Sequence, residues 1–213
     1  RILFSDGSDI SKQRVENFRK ESKKRDCKTH IYLDTDNVNL EEWTSYINFA
    51  KEIQPKYFTV MKKQGLEKII DAKNQLGDQI QVGVRVQEDD DTSDLEEFYK
   101  NSNFAMIEID SKKIVNENIV QKAKDNDCEP MYLAKMPTLM KGQVQSREEN
   151  FEIGHTLEEG FDVIALYQET SHGPYPARSV KCIDEIAVES EKLRINPLQD
   201  LIDKIMSFFG KRN

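Results

Sequence analysis

Short apolar, β-branched or aromatic runs recur along this chain at roughly 25-residue spacing, and that rhythm restricts the fold more than any other feature. The runs are Ile2-Leu3-Phe4, His30-Ile31-Tyr32-Leu33, Tyr57-Phe58-Thr59-Val60-Met61, Ile80-Gln81-Val82-Gly83-Val84-Arg85-Val86, Phe104-Ala105-Met106-Ile107-Glu108-Ile109, Met131-Tyr132-Leu133-Ala134 and Val163-Ile164-Ala165-Leu166. Each suits a strand buried on both faces, since a strand covered on one face alone would alternate apolar with polar residues. Between the runs the apolar period changes to three and four, as in Val15 and Phe18, in Trp43, Tyr46, Ile47, Ala50 and Ile53, in Leu66, Ile69 and Ile70, and over one turn in Leu95, Phe98 and Tyr99. Strands alternating with helices predict parallel pairing through helical crossovers, because a hairpin cannot join parallel neighbours. No Gly-x-Gly-x-x-Gly follows the first run, which disfavours a dinucleotide-binding sheet. A (β/α)8 TIM-type barrel lacking one strand fits the rhythm better.

Composition removes several classes of function. With 213 residues and 37% hydrophobic content, one folded domain is the expectation. A formal net charge of −8 argues against nucleic-acid binding, which depends on Lys and Arg neutralising phosphates. Cys27, Cys128 and Cys182 are odd in number and widely spaced, without a Cys-x-x-Cys pair, so neither a disulfide framework nor a zinc site is indicated. A reducing compartment is the plain reading. No apolar run approaches the roughly 20 residues that span a bilayer, and no secretory signal segment is visible, so a protein that is soluble or held by partners is expected.

One stretch goes further. Gln168-Glu169-Thr170-Ser171-His172-Gly173-Pro174-Tyr175-Pro176 follows the last apolar run and resembles the Gly-Glu-Thr-Ala-Lys-Gly-x-Tyr-Pro loop of the pyruvate kinase family. Arg1-Ile2-Leu3-Phe4-Ser5-Asp6-Gly7 is similar to the family's Arg-x-Asn-Phe-Ser-His-Gly, and Leu33-Asp34-Thr35-Asp36 to its Leu-Asp-Thr-Lys. Ser146-Arg147-Glu148-Glu149 is similar to the Thr-Arg-Ala-Glu that begins a family helix, and Leu157-Glu158-Glu159-Gly160-Phe161-Asp162 parallels Leu-Asp-Gly-Ala-Asp. The resemblance implies barrel strands two to eight within residues 1–195, with 144–191 as its specific part. The family's lid domain has no counterpart, because Asn37-Val38-Asn39 runs straight into Leu40-Glu41-Glu42-Trp43, and its C-terminal domain has none either.

The resemblance also implies a place for each catalytic group, and most are changed. Arg85 stands where the family's phosphoryl-stabilising Lys should be, and the two side chains are not interchangeable at a geometrically exact site. Gln87 replaces the metal-binding Glu, removing a full charge from a site for a hard cation. The partner Asp belongs to a glycine-containing run for which this chain offers Glu108-Ile109-Asp110-Ser111-Lys112-Lys113, with Asp110 as the remnant. Lys135 falls where a substrate-side Thr belongs. Ser5, Asp34 and Thr35 match the family's potassium ligands while Leu3 replaces its Asn, and Arg1 matches a phosphate-contacting Arg. The Mg and K sites are therefore expected to be degraded, with no cofactor held.

Blander readings accompany the remaining residues. Glu169 and Thr170 could contact a nucleotide, but side-chain oxygens in such a loop more often cap backbone amides. His30, His155 and His172 have no evident base partner, and Glu88-Asp89-Asp90-Asp91 reads as a solvated loop. Residues 196–213 form a separate tail in which Leu198, Leu201, Ile202, Ile205, Met206 and Phe209 recur at helical spacing after Pro197. That face suits either folding back on the barrel or docking to a partner. The expectation is a catalytically inactive, pyruvate kinase-like pseudoenzyme. It would act as a structural or interaction subunit of a larger protein complex, cytoplasmic or cytoskeletal and compatible with a ciliary place, organelles being left open. The rival is a sensor of phosphorylated metabolites, or a residual phosphotransferase, using Arg1, Arg85 and Lys135 as an anion pocket.

Overall fold

A computed structural model describes residues 2–3, 8–26, 30–35 and 40–194. Seven strands lie where the apolar runs place them: β1 (Ile2–Leu3), β2 (Tyr32–Asp34), β3 (Tyr57–Met61), β4 (Gln81–Gln87), β5 (Phe104–Glu108), β6 (Glu129–Ala134) and β7 (Val163–Leu166). The helices are α1 (Ser8–Lys24), α2 (Trp43–Ile53), α3 (Leu66–Leu76), α4 (Leu95–Lys100), α5 (Ser111–Asn116), α6 (Ile119–Asp125), α7 (Arg147–Glu158), α8 (Gln168–Ser171) and α9 (Pro176–Arg194). Strand order in the sheet follows chain order from β1 to β7, and the pairs from β1 to β5 are parallel. A doubly wound sheet would reverse its order at a switch point. Sequential order instead makes this an α/β fold compatible with a partial TIM-like barrel.

The chain divides into two compact units, one of Arg1–Asp110 with Glu117–Met131 and the other of Ser111–Asn116 with Tyr132–Asn213. In the first, the two faces of the sheet differ in kind. Leu33, Phe58, Val60, Val82, Val84 and Val86 are fully buried, and the apolar stripe of α2 packs on this side, with the Tyr46 ring 4.9 Å and the Trp43 ring 6.2 Å from Phe58. The left-handed Gln54 (φ 43°) ends α2 by donating its N–H to the Ala50 carbonyl at 2.9 Å.

On the opposite face the side chains follow register, since residues two apart on a strand point the same way. Near the strand starts, Tyr32, Tyr57 and Phe104 form an aromatic cluster with centroids 5.6–6.1 Å apart. Gly83 makes room for it: a Cβ there would lie 2.5 Å from the Phe104 carbonyl oxygen and 2.6 Å from its ring. One step along, Thr59, Arg85 and Met106 continue the face, followed by Gln87 and Glu108, which are register partners. Polar side chains thus occupy the C-terminal ends of these strands.

In the second unit α7 and α9 lie side by side. Gln145 Oε1 accepts from Arg178 at 3.2 Å, and Ser190 Oγ donates to the Gly154 carbonyl at 3.4 Å, so the two helices run in the same direction. α7 starts with a reciprocal cap in which Glu149 N–H donates to Ser146 Oγ at 3.1 Å and Ser146 N–H donates to Glu149 Oε2 at 2.9 Å.

Candidate functional site

Arg85 is the largest fully buried side chain among the described residues, at 1% exposure. Its placement follows from sequence: flanked by Val84 and Val86 in an apolar strand, a residue on the inner face has no route to solvent. A buried guanidinium must find counter-charge. Its NH1 donates to Asp34 Oδ2 at 3.0 Å, and its NH2 and Nε donate to Glu108 Oε2 at 2.6 and 3.2 Å. Asp34 is itself fully buried and accepts from Thr59 Oγ1 at 2.9 Å. Gln87 Nε2 approaches Glu108 at 3.4 Å. The result is a cation enclosed by two carboxylates at the ends of β2, β4 and β5.

This arrangement changes the meaning of several residues singled out from sequence. Arg85 faces carboxylates, where a phosphoryl-stabilising cation would have to face substrate. Asp34 holds Arg85 and Thr59. Thr35 is buried beside it, with Oγ1 3.4 Å from Gln64 Oε1. Gln87 contributes an amide donor to Glu108, a polarity opposite to that of a metal ligand. Asp110 donates its backbone N–H to Glu88 Oε2 at 2.6 Å, and Asp90 Oδ2 accepts the Gln87 N–H at 2.7 Å, which ties the acidic loop back onto β4. Among the described residues, no group of three His, Cys, Asp or Glu side chains is spaced to hold a metal ion.

The second unit has its own buried carboxylates. Glu169, 3% exposed, accepts from the backbone N–H groups of Met136 and, at 3.2 Å, Tyr167. Thr170 Oγ1 donates to the Tyr167 carbonyl at 3.1 Å. Both side chains therefore bond to backbone groups of the surrounding loops. Glu149 accepts from Thr138 N–H at 2.8 Å and from the Thr138 hydroxyl, joining the turn after β6 to the start of α7. Lys135, directly after β6, is exposed, and so is His172. His155 lies half-buried on α7 with its ring 6.0 Å from Phe151. Arg1, Ser5 and the tail residues Leu198, Leu201, Ile202, Ile205, Met206 and Phe209 lie outside the described residues.

Sequence reasoning missed Glu108 as the second partner of Arg85, Thr59 as a partner of Asp34, and Glu149 as a tie between loop and helix. A charged residue inside an otherwise apolar run was the available signal for the first of these. No protein-family model matches the chain, and no curated protein matches it. The class established here is an α/β fold with sequentially ordered strands and an internally neutralised polar layer at their C-terminal ends.

Proposed function

We propose that this chain is a catalytically inactive, pyruvate kinase-like protein serving as a structural or interaction subunit of a larger assembly. The observation that carries the reading is the enclosure of Arg85 by Asp34 and Glu108. Phosphoryl transfer requires cations that face the transferring group and a metal that bridges it to the nucleotide. Here the fully buried cation Arg85 is already engaged by two carboxylates, which are held by it in turn. Gln87 supplies a donor where a hard cation needs an anionic oxygen. A sensor that captures phosphorylated metabolites through Arg85 would first have to displace two carboxylates, so this enclosure favours the scaffold over the sensor.

The test is a coupled assay on the full chain with Mg²⁺, ADP and phosphoenolpyruvate, run beside thermal unfolding with the same additions. The expected result is no ATP above a heat-killed control and no shift in melting temperature. ATP formation well above the control, or stabilisation that disappears in Arg85→Met, overturns the proposal.

A further inference from the structure

At the opposite end of the strands of the first unit lies a groove of about 580 Å³. It is bounded by the last turns of α1, α2 and α3 and by the starts of β2, β3 and β4. Among the described residues its polar lining contains Arg19, Lys51, Lys56 and His30, and no carboxylate. That is unusual in a chain of net charge −8.

The partners of these cations make the excess charge real. Arg19 donates to the Ile53 carbonyl, and Lys51 Nζ donates to Gln75 Oε1 at 3.2 Å, both neutral acceptors. Among the described residues no ion pair joins Arg19, Lys51 or Lys56 to an acid, whereas Lys12, Lys62, Lys181 and Lys192 each have one within 4 Å. Three helix C-termini converge on the groove, each equivalent to about half a negative charge. Against three fixed cations they leave a net positive field of roughly one to two charges.

The size and lining indicate the occupant. The volume is that of a site for an extended ligand, far larger than a lone inorganic anion needs. Phe18, Ile31, Leu76 and Ile80 supply apolar surface between the cations. We infer that this groove receives an acidic peptide segment of a partner protein, with carboxylates set against Arg19, Lys51 and Lys56 and apolar side chains seated between them. This rests on the reading of the chain as an interaction subunit and places its docking surface away from the neutralised layer around Arg85.

The experiment is fluorescence anisotropy of the full chain with a labelled peptide of alternating Glu and Leu, at low and at moderate salt. Expected are saturable binding, about tenfold weaker at the higher salt, and a loss of about tenfold in Lys51→Glu and in Lys56→Gln. Lys181→Glu, on the other unit, leaves binding unchanged. Circular dichroism of each variant checks the fold, and Lys51 is exposed enough to change without strain. Absence of binding at low salt, or binding indifferent to both groove variants, overturns the inference while leaving the scaffold reading intact. Thermal stabilisation by inorganic phosphate without any peptide affinity also overturns it, in favour of a simple anion site. ATP formation in the assay above defeats the scaffold reading whatever the peptide does.

Discussion

Replacing Arg85 with Met preserves length and apolar volume while deleting the charge on which two buried carboxylates depend. In the native protein the guanidinium lies 3.0 Å from Asp34 and 2.6 Å from Glu108. At an effective dielectric near 20, each contact is worth about 6 kcal/mol of Coulomb attraction. Desolvation of three ions offsets most of that sum, so the intact cluster contributes little net stability. Removing the cation is a different matter, because Asp34 and Glu108 then lose the guanidinium that both of them bind. Breaking a buried ion pair in this way costs about 3–5 kcal/mol. The sole tryptophan, Trp43, is 5% exposed with its indole N–H bonded to Asp71 at 2.7 Å, so its fluorescence reports unfolding of the same unit in a urea titration. Adding Glu108→Gln to Arg85→Met should recover part of the loss by removing one of the negative charges that the guanidinium had offset. A loss below about 1 kcal/mol at pH 7 refutes the account of the cluster.

Two further outcomes follow from packing. Gly83→Ala sets a Cβ 2.5 Å from a backbone oxygen that cannot move aside, so a loss of about 1–3 kcal/mol is expected in thermal unfolding; an unchanged melting temperature contradicts the close approach of β4 and β5. Cys128 is 1% exposed, and burial pushes its thiol up from 9.0 to about 12. Folding therefore favours the protonated form. The associated stability is present below about pH 9 and lost as pH rises toward about 12. Peptide mapping after alkylation at pH 8 should find Cys128 unmodified until the protein is unfolded, and rapid native labelling counts against its burial.

Much of this architecture was legible because periodicity reports burial directly. All seven apolar runs became strands, and the helix-period segments around Val15, Trp43, Leu66 and Leu95 became helices. α5 and α6 escaped notice, being short and lacking a sustained amphipathic stripe. The polar layer was harder to read, because its partners lie far apart in sequence: Asp34 and Arg85 are separated by 51 residues, Arg85 and Glu108 by 23. Arg85 inside Val82-Gly83-Val84-Arg85-Val86 announced that a counter-charge must exist, but register alone decides which acid supplies it. Glu108 was hidden for the converse reason. Sitting in an apolar run, it looked like the start of a loop, whereas pairing with Gln87 puts it on the same face as Arg85.

The buried carboxylates give the strongest physical argument about what the molecule is for. Asp34 and Glu108 hold Arg85 in the first unit, while Glu149 and Glu169 hold backbone N–H groups in the second. An active site keeps such groups facing a cavity, with pKa values shifted toward the working pH and geometry completed by substrate. Here each acid is completed by the chain itself, through ion pairs, side-chain donors or loop amides. A ligand arriving at these strand ends would have to break contacts that the fold needs. Cations without an acidic partner instead lie at the other end of the same strands, where Arg19, Lys51 and Lys56 line an open groove that has no carboxylate among its described residues. Charge that the fold has not neutralised is charge available to a partner, so the interaction surface should be sought there.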